Sequence, residues 1–237
     1  INNRRNVNEA NNVMNTFIAQ CGDRAPADYS RSDINNFITA SLKTKKSATV
    51  QRNLKSLAAM FNFVTLQLDI KVDKKHCFEK FYIPSLGDDE ETREDFTEEQ
   101  VRLIRNMPSS KTIEIDCMIH LMLDTGLRVK ECCGLLVKDI NLAAETPHLV
   151  LYKNNIRGLK NKNSQRLVPL VGASLIALQK LTKAELSSYL FPRYVLETKS
   201  DVKNGSASGA CNKRLEALLG ESCPTSHCFR HTMQTRL

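Results

Sequence analysis

Near its C-terminal end the chain reads HCFRHT over residues 227–232. In helical register, residues three apart share a face, which aims the imidazole of His227 and the guanidinium of Arg230 at one place. A guanidinium offers a planar fork that matches two phosphate oxygens, and an imidazole beside it can bond the same group and move a proton. Upstream, TGLRVKE at 125–131 supplies another arginine. There Gly126 is placed to take the left-handed conformation that ends one helix, leaving Arg128 in the first turn of the next. Between the two motifs, the polar run GLKNKNSQR at 158–166 presents Lys160 and Lys162. Helix N-termini add free N–H groups and a positive dipole end. Two arginines, a histidine and a lysine are the means to clamp one phosphodiester.

The elements that must carry these groups follow from periodicity and turn chemistry. KTIEIDCMIHLMLDTGLRVKECCGLL reads as helix, break at Thr125-Gly126, and helix. HLVLYKN and QRLVPL have strand composition and form a β-hairpin around the lysine run. Helices follow at about 172–188 and 207–219. A last helix opens in PTSHCFRHT, with Thr225 or Ser226 as cap and His227 in its first turn. TEEQVRLI starts the block, Thr97 and Gln100 forming a capping box.

The preceding part is helical throughout. Segments at about 7–20 and 31–42 precede a long helix whose apolar stripe is Val50, Leu54, Leu57, Ala58, Phe61 and Leu68. Ser47 or Thr49 is its expected cap. Lys45 and Lys46, from the cluster KTKK, stand with Thr49, Arg52 and Lys55 at its start and on its polar face, and these five are the candidate contacts to an anionic partner. The chain thus divides into a helical block at 1–86, an acidic linker GDDEETREDF at 87–96, and a mixed block at 97–237. The fold class is mainly α with a small β-hairpin or sheet.

Charge follows the same division. Residues 1–86 carry 13 basic against 7 acidic side chains, residues 97–237 carry 20 against 13, and the strip between them carries 1 against 6. Two basic blocks suit a polyanion, most simply nucleic acid. No apolar run reaches the roughly 18 to 20 residues a membrane span needs, and residues 1–20 lack the apolar centre of a secretory signal. The expectation is a soluble, intracellular protein. Eight cysteines without any C-x-x-C spacing read as reduced, mostly buried thiols, favouring neither a zinc site nor a disulfide framework.

TGLRVKE, a lysine-bearing hairpin ending in RLVPL, and HCFRHT, in that order, closely resemble the tyrosine recombinase (phage integrase) family. The resemblance implies a core-binding domain in the first block and an α+β catalytic domain from Thr97. It implies that a tyrosine attacks DNA to give a 3′-phosphotyrosyl link and a free 5′-hydroxyl, without metal or other cofactor. By position, Arg128 and Arg230 match the two clamp arginines, Lys160 the hairpin general acid (with Lys162 as the alternative), and His227 the histidine that bonds the phosphate. Glu131 matches a position supporting the arginine, and His231 looks like a packing residue. The implied partners are double-stranded DNA and further copies of the protein in a tetramer on it, in the cytoplasm of a host cell.

The family's tyrosine follows H-x-x-R by a few tens of residues. Tyr29, Tyr82, Tyr152, Tyr189 and Tyr194 all precede it here, so the expectation is a longer protein whose nucleophile lies beyond Leu237. Two other readings stand beside the recombinase: a catalytically inactive DNA-binding protein that keeps the clamp, and a type IB topoisomerase-like enzyme.

Overall fold

The computed structural model describes residues 4–69, 77–78, 80–90, 94–157, 165–181, 189–196, 198 and 201–236. The chain forms two compact units, Ile1–Thr92 and Arg93–Leu237.

The first unit is a bundle of α1 (Arg4–Cys21), α2 (Arg31–Leu42) and α3 (Ser47–Gln67). Its core is aromatic: the Phe17 ring meets those of Tyr29, Phe37, Phe61 and Phe78 at centroid distances of 5.0–5.9 Å. Val50, Leu54, Leu57 and Phe61 are buried as the stripe on α3 requires, but Leu68, placed in the same stripe, is 67% exposed. That correction has a simple cause, since α3 ends at Gln67 and Leu68 is already its C-cap.

Neither expected cap serves α3. Lys46 is the N-cap but its side chain does not cap the helix, and Ser47 is the first helical residue. The free N–H of Ser47 instead donates to Asp89 at 2.6 Å, and the Ser47 hydroxyl also donates to that carboxylate. Gly87 N–H closes the arrangement on Ser47 Oγ at 3.1 Å. An acidic side chain at a helix N-terminus answers both the orphan donors and the dipole, so part of the acidic strip is packed onto the helical bundle.

The second unit is built around α5 (Ile113–Thr125). Ten of its residues are buried, and a helix apolar on nearly every side must be enclosed. Around it pack α4 (Glu98–Arg105), α6 (Val129–Cys133), α7 (Gly172–Leu181), α8 (Asn204–Leu219) and α9 (Phe229–Thr235). The Thr97–Gln100 capping box is present in both directions. The hairpin of β2 (His148–Leu151) and β3 (Arg166–Pro169) is joined by β1 (Ile140–Asn141), which makes an antiparallel sheet in the order β1-β2-β3. A second antiparallel pair, β4 (Val195–Leu196) and β5 (Asp201–Val202), has no counterpart in the sequence reading. The helix expected at 207–219 starts three residues earlier, at Asn204, and residues 182–188 of the expected 172–188 helix lie outside the described residues.

Two features mark the interior of this unit. Cys117, Cys132, Cys133, Cys211 and Cys228 are buried as small apolar side chains, and burial pushes the thiols of Cys117, Cys133 and Cys211 up to about 12. Arg157 is fully buried. Its Nη1 donates to Asp139 Oδ2 at 2.9 Å and to the Gly134 carbonyl at 3.0 Å, and its Nε donates to the Tyr152 carbonyl at 2.9 Å. Gly134 permits this approach, because a Cβ there would sit 2.7 Å from Arg157 Cβ.

Candidate active site

The site begins at the turn between α5 and α6. Gly126 has φ +61° and donates its N–H to the Met122 carbonyl at 3.0 Å, which ends α5 as expected. Arg128 is the N-cap of α6 rather than a member of its first turn, with ψ 149°. This extended conformation lets its N–H reach Glu131 Oε2 at 2.9 Å while its own Nη1 reaches Oε1 of the same carboxylate at 2.9 Å. A five-residue helix has little intrinsic stability, so the doubly engaged Glu131 fixes both α6 and the Arg128 side chain.

Glu131 also receives Arg166 Nη2 at 3.2 Å. Its side chain is only 4% exposed. Burial alone would raise its pKa, but the Arg128 N–H, the charge of Arg166 and hydrogen bonds from both guanidiniums outweigh it and hold the carboxyl below its ordinary value. Arg230, half-buried on α9, donates from Nη1 to the Gly126 carbonyl at 3.0 Å. Burial pushes its guanidinium down, the like charges of Arg128 and Arg166 add to this, and Glu131 opposes it. Arg166, Arg230, Gly126, Thr125, Val168 and Met233 line one concavity.

The structure thus gathers Arg128, Arg230 and Glu131, and it adds Arg166, which the sequence reading left as an ordinary strand residue. The only signal for Arg166 was its place at the end of the lysine run, and its arrival depends on the β2–β3 register that sets it opposite Leu151. His227 is exposed and lies in a 3-10 turn, Ser226–Cys228, that precedes α9, not in the first turn of the α-helix. Thr225 makes no capping bond to the backbone. The turn is held from outside, where Ser226 N–H donates to Asn212 Oδ1 at 2.9 Å. His231, expected to pack, is exposed, its ring 6.3 Å from that of His227. Lys160 and Lys162 lie outside the described residues.

No tyrosine lines this concavity. Tyr194 is buried in the core and Tyr152 lies under the Arg157 guanidinium at 5.3 Å. In the first unit, Tyr29 is buried and donates its hydroxyl to the Gly22 carbonyl at 2.7 Å, while Tyr82 is exposed. Among the described residues no group of three or more His, Cys, Asp or Glu side chains is placed to hold a metal ion, and no helix is long and apolar enough to cross a membrane.

Of the candidate DNA contacts in the first unit, Lys45 and Arg52 line one polar groove with Glu9, Asn12 and Thr16 of α1. Lys46 lies close enough to Asp89 for its charge to act on that carboxylate. Lys55 donates to Gln51 Oε1 at 3.4 Å one turn back, and Thr49 is half-buried in the first turn of α3.

Comparison with known proteins identifies the family and the fold. Residues 94–237, more than half of the chain, match the phage integrase family. The chain is 30% identical over 166 residues to a probable integrase/recombinase of Acholeplasma phage L2, a match covering 65% of this chain and 52% of that protein. The chain therefore spans about half the length of the curated relative it matches. In fold it is similar to the Tn1549 transposon integrase in complex with a circular intermediate DNA, with a TM-score of 0.73, 20% identity, and coverage of 100% of this chain and 82% of that one. It is also similar to a lambda integrase tetramer bound to a Holliday junction, with a TM-score of 0.72, 15% identity, and coverage of 99% and 67%. By its family match, and with the fold those integrases share, the chain belongs to the phage integrase family of tyrosine recombinases.

Proposed function

We propose that this chain is the DNA-gripping and phosphate-activating part of a site-specific recombinase that cuts and rejoins double-stranded DNA through a 3′-phosphotyrosyl intermediate. The observation that carries the reading is the meeting of Arg128, Arg166 and Arg230 around one buried carboxylate at the α5–α6 turn. Cations fixed before the substrate arrives stabilise charge that develops on a phosphate without reorganising. Arg128 and Arg230 hold the non-bridging oxygens, His227 bonds the same group, and Lys160 protonates the leaving 5′-oxygen. The attacking tyrosine comes from outside these 237 residues. The helical unit at residues 1–86 grips DNA through Lys45, Lys46, Thr49, Arg52 and Lys55, the acidic linker at 87–96 stays off the phosphates, and four copies assemble on DNA in the host cytoplasm.

The test is covalent capture. Full-length protein incubated with a suicide substrate bearing its site is expected to form a protein–DNA adduct. Arg128→Ala and Arg230→Ala should each slow adduct formation by about 10²–10³-fold. Site binding with no adduct supports the inactive DNA-binding reading, and relaxation of supercoiled DNA without a specific site supports the topoisomerase one.

A further inference from the structure

We infer that Arg166 is a third charge-supplying arginine of the phosphate site, acting on the transition state through its field and through Glu131. The inference rests on the recombinase reading and deepens it. Arg166 opens β3, lines the same concavity as Arg230, and its charge lowers the pKa of Arg230. It also takes one oxygen of Glu131 while Arg128 takes the other.

Two consequences follow from charge alone. Arg166 adds one positive charge beside Arg128, Arg230 and Glu131. A phosphodiester carries one negative charge. When the tyrosine oxygen bonds to phosphorus, its proton passing to the His227 imidazole, and before the 5′-oxygen departs with a proton from Lys160, the phosphorane carries two. A positive charge held at the site is worth more to the doubly charged phosphorane than to the singly charged phosphodiester, and only interactions stronger in the transition state accelerate the step. Second, the ion pair with Arg166 divides the pull of Glu131. With Arg166 removed, more of the pull of the carboxylate falls on Arg128, which is then less available to phosphate oxygens.

Arg166 is therefore a positioning and charge-balancing residue whose loss should appear in chemistry more than in binding. Full-length wild-type, Arg166→Gln and Arg166→Lys proteins would be compared on a suicide substrate and on the same substrate with a methylphosphonate, which is uncharged, at the scissile position. Arg166→Gln is expected to form adduct about 10²-fold more slowly than wild type on the ordinary substrate, with site affinity within about threefold. Arg166→Lys should recover at least about tenfold of that loss, because it restores charge without the fork geometry. On the methylphosphonate the deficit of Arg166→Gln should shrink by at least about tenfold, since one negative charge no longer needs matching. A deficit equal on both substrates would mean a purely structural role and would overturn the inference, as would a wild-type rate for Arg166→Gln. A wild-type protein that forms no adduct would instead overturn the recombinase reading, and the inference with it.

Discussion

Arg230 Nη1 donates to the carbonyl of Gly126 at 3.0 Å, which ties the helix bearing the H-x-x-R motif to the turn that precedes Arg128. Two motifs 104 residues apart in sequence are joined by a bond from an arginine to main chain. The geometry of the site therefore depends on the backbone of Gly126 as much as on the side chains.

A substitution at that glycine should be costly twice. At φ +61° an L side chain is strained by roughly 1–2 kcal/mol, and a Cβ would sit 2.9 Å from Met233 Sδ on α9. Gly126→Ala is expected to lower stability in denaturant titration by at least about 1 kcal/mol and to slow adduct formation in the full-length protein. A variant as stable as wild type would show that the turn can relax.

The buried Arg157–Asp139 pair predicts a non-additive result. Removing one partner leaves an uncompensated buried charge, which typically costs about 3–5 kcal/mol, so Arg157→Met and Asp139→Asn should each be strongly destabilising. The double variant should lose less than the two losses added, because neither charge is then stranded. Simple additivity in urea unfolding would indicate that the pair does not interact in solution.

Salt dependence tests the α1–α3 groove. If Lys45 and Arg52 each neutralise a phosphate, replacing both by Ala should reduce the slope of log affinity against log salt by about 1.8, from about 0.9 per phosphate. An unchanged slope would move the DNA contact away from this groove.

Asp33 gives a prediction for pH. The Ser30 hydroxyl and N–H, with Arg24 Nη2 at 2.6 Å, hold its carboxyl at about 2, below its ordinary 3.8. A depressed folded pKa contributes stability that is fully present above the unfolded value and is lost as pH falls through the folded one. The contribution should therefore persist down to about pH 4 and vanish toward pH 2. Carboxyl ¹³C titration should place Asp33 near 2, and Ser30→Ala should move the midpoint upward. An ordinary midpoint in the wild-type protein would discard this contribution.

What the sequence determined by itself is what neighbours in the chain encode. The Thr97–Gln100 capping box, the left-handed Gly126 that ends α5, the α3 stripe up to Phe61 and the strands around the lysine run all depend on residues a few positions apart, whose geometry is set locally. Order and spacing of TGLRVKE and HCFRHT also marked Arg128 and Arg230 as partners. The conformation of His227 escaped this logic, because its 3-10 turn is held by Asn212 from another helix. Only the tertiary structure decided that Asp89 caps α3 across 42 positions, that β1 joins the hairpin, and that Arg166 meets Glu131 across 35. No local propensity specifies such pairs: they form when packing of separate elements brings a buried carboxylate or an orphan N–H within reach of a partner, and burial makes leaving either unpaired too costly.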